Sequence, residues 1–167
     1  MVTILLLRHA KSRWDEGNLP DHERGLAPRG ERAAPRVGHW AAMNGWLPDR
    51  VLCSTAARTV ATARLFLAAA GIDPPVELRK EIYEARPSVL LALIQAQPEG
   101  GRLMLVGHNP GFHELALQLA GKGADPRLDE KFPTGALAAI EFDAPSFAEV
   151  RPGEGRLAAF ALPRELE

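Results

Sequence analysis

The stretch ILLLRHAKSRW, residues 4–14, decides the fold. Together with Val2 and Thr3 it opens as a continuous apolar, partly β-branched run over Val2 to Leu7. Such a run, without alternation, predicts a strand buried on both faces of a sheet. The run stops abruptly on Arg8-His9, a cation and an imidazole side by side. The polar segment Lys11 to Arg24, with Gly17 and Pro20, then reads as a loop.

The same grammar repeats downstream. Pro28 can open a helix to about Asn44, with Gly45 as its stop. Pro35 inside it predicts a kink or a late start. Arg50 to Cys53 reads as a second strand, and Ser54 as the N-cap of a helix that stops at Gly71. Val76 to Leu78 is a short third strand. Pro87 to Gln97 is a helix whose apolar face is Val89, Leu90, Leu93 and Ile94. Arg102 to Val106 is another buried-type strand, followed by a helix capped by Asn109 with Pro110 at N1, ending at Gly121. Ala136 to Phe142 and Arg156 to Leu162 close the chain as two strands, one of them antiparallel. Strands alternating with helices predict an α/β fold of three layers, α/β/α, with a mainly parallel mixed sheet. No repeat, low-complexity tract or linker divides residues 1–167, which read as one domain.

Composition narrows the function. A net charge of −1 gives no pull toward nucleic acid or an anionic membrane. The apolar start is too short for a secretory signal, and its basic residues follow the run instead of preceding it. One cysteine, Cys53, excludes an intrachain disulfide and fits a reducing compartment, so the expected location is the cytoplasm.

Three strand-to-helix junctions carry chemistry: Arg8-His9, Arg58 in the first turn after the second strand, and Gly107-His108-Asn109-Pro110. A parallel sheet places all three along one edge, outside the carboxyl ends of its strands. Two arginines, two histidines and two helix N-termini facing one space fit an oxyanion, and a phosphoryl group above others. His9 is the candidate nucleophile. A neutral imidazole suits that task, provided that one ring nitrogen is held as N–H by a backbone carbonyl so that the other faces phosphorus. His22, His39 and His113 lack a comparable context and read as structural.

The segments LLLRHAKS, STAARTVATA and LVGHNPG, in this order and spacing, resemble the histidine phosphatase superfamily, with its phosphoglycerate mutase-like fold. The short length, the RHAK variant, YEA at Tyr83 to Ala85 and FPTGA at Phe132 to Ala136 look most like the SixA-type phosphohistidine phosphatase branch. The resemblance implies a transient phosphohistidine on His9, with Arg8, Arg58 and His108 binding the phosphate. Ser12 occupies a hydroxyl position of the phosphate-side loop, and the Asn109 backbone N–H is a further donor. For the leaving-group acid, Glu81 stands first, Asp21 second and Glu84 third. Two departures stand out. Ala10 replaces the signature glycine, a strain if φ is positive there. Ala27 stands where a threonine N-cap is common.

The implied activity is hydrolysis of a phosphoryl group, on protein phosphohistidine, with no cofactor and no metal. The expected partner is a phosphorylated protein, with no nucleic acid or membrane involved; the sequence leaves the oligomeric state open, with a monomer favoured. Other readings are a small-molecule phosphomonoesterase and a phosphate- or phosphoprotein-binding module without turnover. A mutase would need a lid that so short a chain does not provide. A thiolate mechanism on Cys53 is disfavoured, because CSTAAR has four residues between Cys and Arg instead of five and no glycine to turn N–H groups inward. Without a lid the site is expected to be open. Arg13 and Trp14 are candidates for its rim, with the core as the other place for Trp14.

Overall fold

The computed structural model describes every residue except Glu16, Glu99, Lys122 and Glu167. Six strands form one sheet in the order β3-β2-β4-β1-β5-β6. The strands are β1 (Val2–Arg8), β2 (Arg50–Cys53), β3 (Val76–Leu78), β4 (Gly101–Gly107), β5 (Leu137–Phe142) and β6 (Arg156–Ala161). β1 to β4 are parallel, while β5 runs against both β1 and β6. One reversed strand thus leaves β6 pointing the same way as β1. The three-layer α/β/α expectation holds.

The apolar run explains the layers. Alternate residues of a strand face opposite sides. Val2, Ile4 and Leu6 pack with Leu90, Ile94, Phe112 and Leu115 of α3 (Pro87–Gln95) and α4 (Gly111–Ala120). Leu5 and Leu7 pack with Val37, Ala41, Ala63 and Phe66 of α1 (Pro28–Asn44) and α2 (Ala57–Ala70). Burying each of these leucines or isoleucines contributes roughly 1.5–3 kcal/mol. The two helices on the second side meet closely at Gly38, where an added Cβ would lie 2.2 Å from the Phe66 carbonyl oxygen.

Several local expectations need correction. α1 starts at Pro28 and runs through Pro35, so there is no late start. Ser54 is not the N-cap of α2. Ala56 holds that place without a side-chain cap, while the Ser54 hydroxyl meets His108 Nε2 (2.8 Å) and accepts the Ala56 N–H (3.3 Å). α4 begins at Gly111 with Pro110 as N-cap, joined to Asn109 by a cis peptide bond. Asn109 still serves the helix from one residue further back, its Oδ1 accepting the His113 N–H at 3.2 Å. Val89 is exposed and leaves the apolar face of α3 to Leu90, Leu93 and Ile94. A fifth helix, α5 (Pro126–Glu130), escaped the sequence reading, although Asp125 caps it through the Arg127 N–H with Pro126 at its start.

Candidate active site

β1, β4 and the loop before α2 deliver their exits to one sheet edge, as a parallel topology requires. His9 and His108 meet there with ring centroids 5.4 Å apart. Both are buried, as is Arg58. The His9 Nδ1 lies 2.8 Å from the Ala10 carbonyl oxygen. A carbonyl only accepts, so Nδ1 carries the proton and Nε2 keeps its lone pair. Ala10 is itself fixed, its N–H donating to Thr62 Oγ1 of α2 at 3.0 Å. Its φ is not positive, Glu84 (φ 56) being the one non-glycine residue with that conformation among those described. Alanine therefore fits the signature position without strain. At the Ala27 position the N-cap of α1 has no side-chain hydrogen bond.

A main-chain oxygen joins the β1 and β4 exits. The Phe132 carbonyl accepts Arg8 Nη1 at 3.1 Å and Asn109 Nδ2 at 2.8 Å. The FPTG turn is tied back in turn by the Gly135 N–H, which reaches the carbonyls of Arg8 (3.1 Å) and His9 (2.9 Å).

Asp21 is the hub on the other flank, in a 3₁₀ turn, Asp21–Glu23. Its carboxylate accepts Arg58 Nη2 (3.0 Å), Arg24 Nη2 (2.9 Å) and the Tyr83 hydroxyl (2.6 Å). Its carbonyl accepts Arg58 Nη1 at 2.8 Å. Arg24 also donates to the Ser12 hydroxyl and lies over the Trp14 ring, 3.7 Å from the centroid. Tyr83 stands edge-on to His108 (5.4 Å) and to His22 (5.0 Å), and His22 Nε2 pairs with Thr55 Oγ1 at 2.8 Å. Tyr83, His22, Arg24 and Ser54 thus join the cluster. Residue type alone did not single them out, though the proximity of His22 to Asp21 in PDHERGL was available.

Electrostatics follow from burial among cations. Burial pushes the His9 pKa from 6.5 to about 3, and Arg8, His108 and Arg58 add to the fall against the pull of the Ala10 hydrogen bond. Burial and then Arg58 bring His108 to about 4. Arg8 is lowered by burial and by Arg58. The Tyr83 hydrogen bond, followed by the Arg24 and Arg58 contacts, holds Asp21 far below the carboxylate range. In exchange, the Asp21 hydrogen bond lifts Tyr83 to about 12. Among the described residues, Arg8 Nε, Arg24 Nε, Arg58 Nε and His108 Nδ1 are buried without a hydrogen-bond partner. An oxyanion beside His9 would supply acceptors to such donors.

The carboxylates divide clearly. Asp21 is inside the cluster. Glu81 is exposed and forms a double contact with Arg79 (Nη2 2.8 Å, Nε 3.1 Å) on the short 3₁₀ turn Lys80–Ile82. Glu84 is exposed as well. His113 is structural, its Nε2 bonded to the Leu128 carbonyl at 2.6 Å. Trp14, 74% exposed, belongs to the rim and not to the core. Cys53 is buried, and burial pushes its thiol to about 12, which removes it as a nucleophile. Among the described residues no group of three or more His, Cys, Asp or Glu side chains could hold a metal ion. No described helix is long and apolar enough to cross a membrane.

Comparison with known proteins gives the family. The profile of the histidine phosphatase superfamily (branch 1) matches residues 4–89. An uncharacterised protein of Mycobacterium tuberculosis is 40% identical over 164 residues, covering 95% of this chain and 100% of that one. A protein of Agrobacterium tumefaciens, assigned as a phosphohistidine phosphatase SixA, superposes with a TM-score of 0.85 at 32% identity, over 97% of this chain and 98% of its own. The protein histidine phosphatase SixA complexed with tungstate shares the fold, with a TM-score of 0.81 at 20% identity over 99% of both chains. A buried histidine beside two arginines and a second histidine, on this sheet, makes a site suited to a phosphoryl group, and the family match makes the chain a phosphatase. The chain belongs to the histidine phosphatase superfamily, in its SixA-type branch.

Proposed function

We propose that residues 1–167 form a single catalytic domain that removes the phosphoryl group from protein phosphohistidine through a phosphorylated His9. The observation that carries this reading is the His9 ring, fixed by the Ala10 carbonyl with Nε2 free among Arg8, Arg58 and His108. In the first transfer the Nε2 lone pair attacks phosphorus in line, and the bond from phosphorus to the substrate imidazole nitrogen breaks. His9 then carries the phosphoryl group on Nε2, and its Nδ1–H stays on the Ala10 carbonyl, which stabilises the charged ring. Arg8, Arg58 and His108 take the charge spread over the equatorial oxygens. In the second transfer water attacks phosphorus, loses a proton, and restores neutral His9.

Asp21 is taken ahead of Glu81 as the carboxylate that exchanges protons with the leaving group and the water, because it borders the cluster through Arg58 and Tyr83 while Glu81 is exposed on Arg79. The free protein holds Asp21 ionised. A phosphoryl group sharing Arg58 with it would raise its pKa, because two anions then compete for one cation. Ser12 acts through Arg24 and positions the loop. Asn109 aligns the His108 turn through the Phe132 carbonyl.

Phosphate release from a phosphohistidine-bearing protein, compared with p-nitrophenyl phosphate and a phosphoserine peptide, tests the substrate. Preference for phosphohistidine, lost in His9→Ala and kept in Cys53→Ser, is the expected result. Equal turnover of all three would replace the protein substrate by a small phosphomonoester. Phosphate binding with no turnover of any of them would make the chain a binding module.

A further inference from the structure

A second concavity opens beside the site. It has a volume of about 460 Å³ and is lined by six cations, Lys11, Arg29, Arg32, Arg36, Lys131 and Arg164. No carboxylate lines it among the described residues, although the whole chain carries a net charge of −1. Leu162 and Pro163 provide apolar surface within it.

Topology puts this cleft on the catalytic edge. Lys11 follows Ala10, whose carbonyl holds His9. Lys131 precedes the Phe132 carbonyl that ties Arg8. Arg164 sits in the 3₁₀ turn Pro163–Glu165 directly after β6. Because β6 points the same way as β1, that turn emerges at the same sheet edge as His9. Arg29, Arg32 and Arg36 are spaced i, i+3, i+7 on α1, a row about 10 Å long on one helix face.

The character of these cations indicates the occupant. Arg8 and Arg58 make directed, part-buried contacts that hold their forks in place for one phosphoryl group. Arg29 and Arg32 of α1, Lys131 just after α5 and Arg164 of the 3₁₀ turn are exposed. Exposed charges spread in this way, as at Arg29, Arg32, Lys131 and Arg164, steer and register an extended anionic surface more than they grip a small ion. We propose that the cleft docks an acidic stretch of the phosphoprotein whose phosphohistidine enters the site. This rests on the phosphoprotein reading above and adds the partner's charge and the face it uses.

The test uses two synthetic phosphohistidine peptides of equal length, one flanked by aspartates and glutamates, the other by serines and glycines. A triple variant, Arg29→Glu, Arg32→Glu and Arg164→Glu, removes cations outside the phosphate site, and p-nitrophenyl phosphate turnover reports its integrity. The wild type should show kcat/KM roughly tenfold higher for the acidic peptide at low salt, with the preference collapsing at high salt. The triple variant should treat both peptides alike and keep p-nitrophenyl phosphate turnover. Equal kcat/KM for the two peptides in the wild type, or a preference that survives in the variant, overturns the proposal. Phosphoserine forms of the same pair, and fluorescence anisotropy of dye-labelled unphosphorylated forms, read docking even if phosphohistidine is not turned over. Failure of the activity reading is thereby separated from failure of the docking. Tripolyphosphate that outcompetes the acidic peptide in the wild type, and loses its binding in the variant, would put a small polyanion in the cleft and overturn the protein occupant.

Discussion

Acid should leave the nucleophile untouched over a range in which an ordinary histidine is disabled. His9 is 7% exposed, donates Nδ1–H to the Ala10 carbonyl and faces Arg8 and Arg58. Its pKa is brought from 6.5 to about 3. At pH 5 an imidazole of ordinary pKa would be only about 3% neutral, an approximately 30-fold loss of nucleophile relative to pH 7.5. His9 should instead remain almost wholly neutral. The direct assay is an NMR titration of the His9 ring in the free protein. The kinetic one is kcat/KM from pH 4 to 8, corrected for substrate ionisation, since that ratio reports the free enzyme's groups. A ring titration with its midpoint near 6.5 would refute the reasoning. The same shift fixes the sign of the stability profile. Between pH 6.5 and the folded values of about 3 for His9 and about 4 for His108, the unfolded chain binds protons that the folded chain refuses. Stability should therefore be complete above pH 6.5 and fall as the pH drops. The His9 share is on the order of 5 kcal/mol. Asp21, lowered in the folded state, loses its contribution at still lower pH, in the same direction.

Other expected outcomes are as follows. His9→Ala should cost roughly 10³-fold or more in turnover while tungstate binding persists on Arg8, Arg58 and His108, measured by calorimetry beside phosphate release. Asp21→Asn should bring the phenol of Tyr83, the chain's one tyrosine, down from about 12 toward 10, as read by its ultraviolet phenolate absorbance. An unchanged midpoint would show that the Tyr83–Asp21 contact does not govern that group. Gly38→Ala should destabilise by about 1–3 kcal/mol, because its Cβ would meet the Phe66 carbonyl at 2.2 Å and force α1 off α2. Thermal melting should register this as roughly 2–4 °C for each kcal/mol.

The parts of the fold visible in the sequence are those with a local physical cause. β1 announces itself because both faces are buried, so no polar residue interrupts Ile4 to Leu7. The meeting of Arg8, His9, Arg58 and His108 follows from parallel topology, which needs only the strand-to-helix order. Asp21 could not be ranked over Glu81 in the same way. Its place depends on a 3₁₀ turn folding onto α2 and on Tyr83, 62 residues away, reaching the same carboxylate. Ser54 was misassigned for a similar reason. A serine before a helix looks like a cap, whereas Ser54 lies two residues ahead of the N-cap Ala56 and shares its hydroxyl between the Ala56 N–H and a distant His108. Arg24 shows no signal at all in sequence, since its meaning lies in joining Ser12, Asp21 and Trp14.

The Phe132 carbonyl sets an unusual rule for what this site tolerates. It holds Arg8 and Asn109 together through a main-chain oxygen. No substitution at position 132 can delete that acceptor, so the chemistry of the side chain there is free to answer to the core alone. The length of the segment is another matter. One residue inserted or removed between Lys131 and Gly135 would swing the oxygen away from both donors and shift the Gly135 anchor on Arg8 and His9. Permissive spelling with strict spacing is thus the constraint this loop imposes on variants of the enzyme.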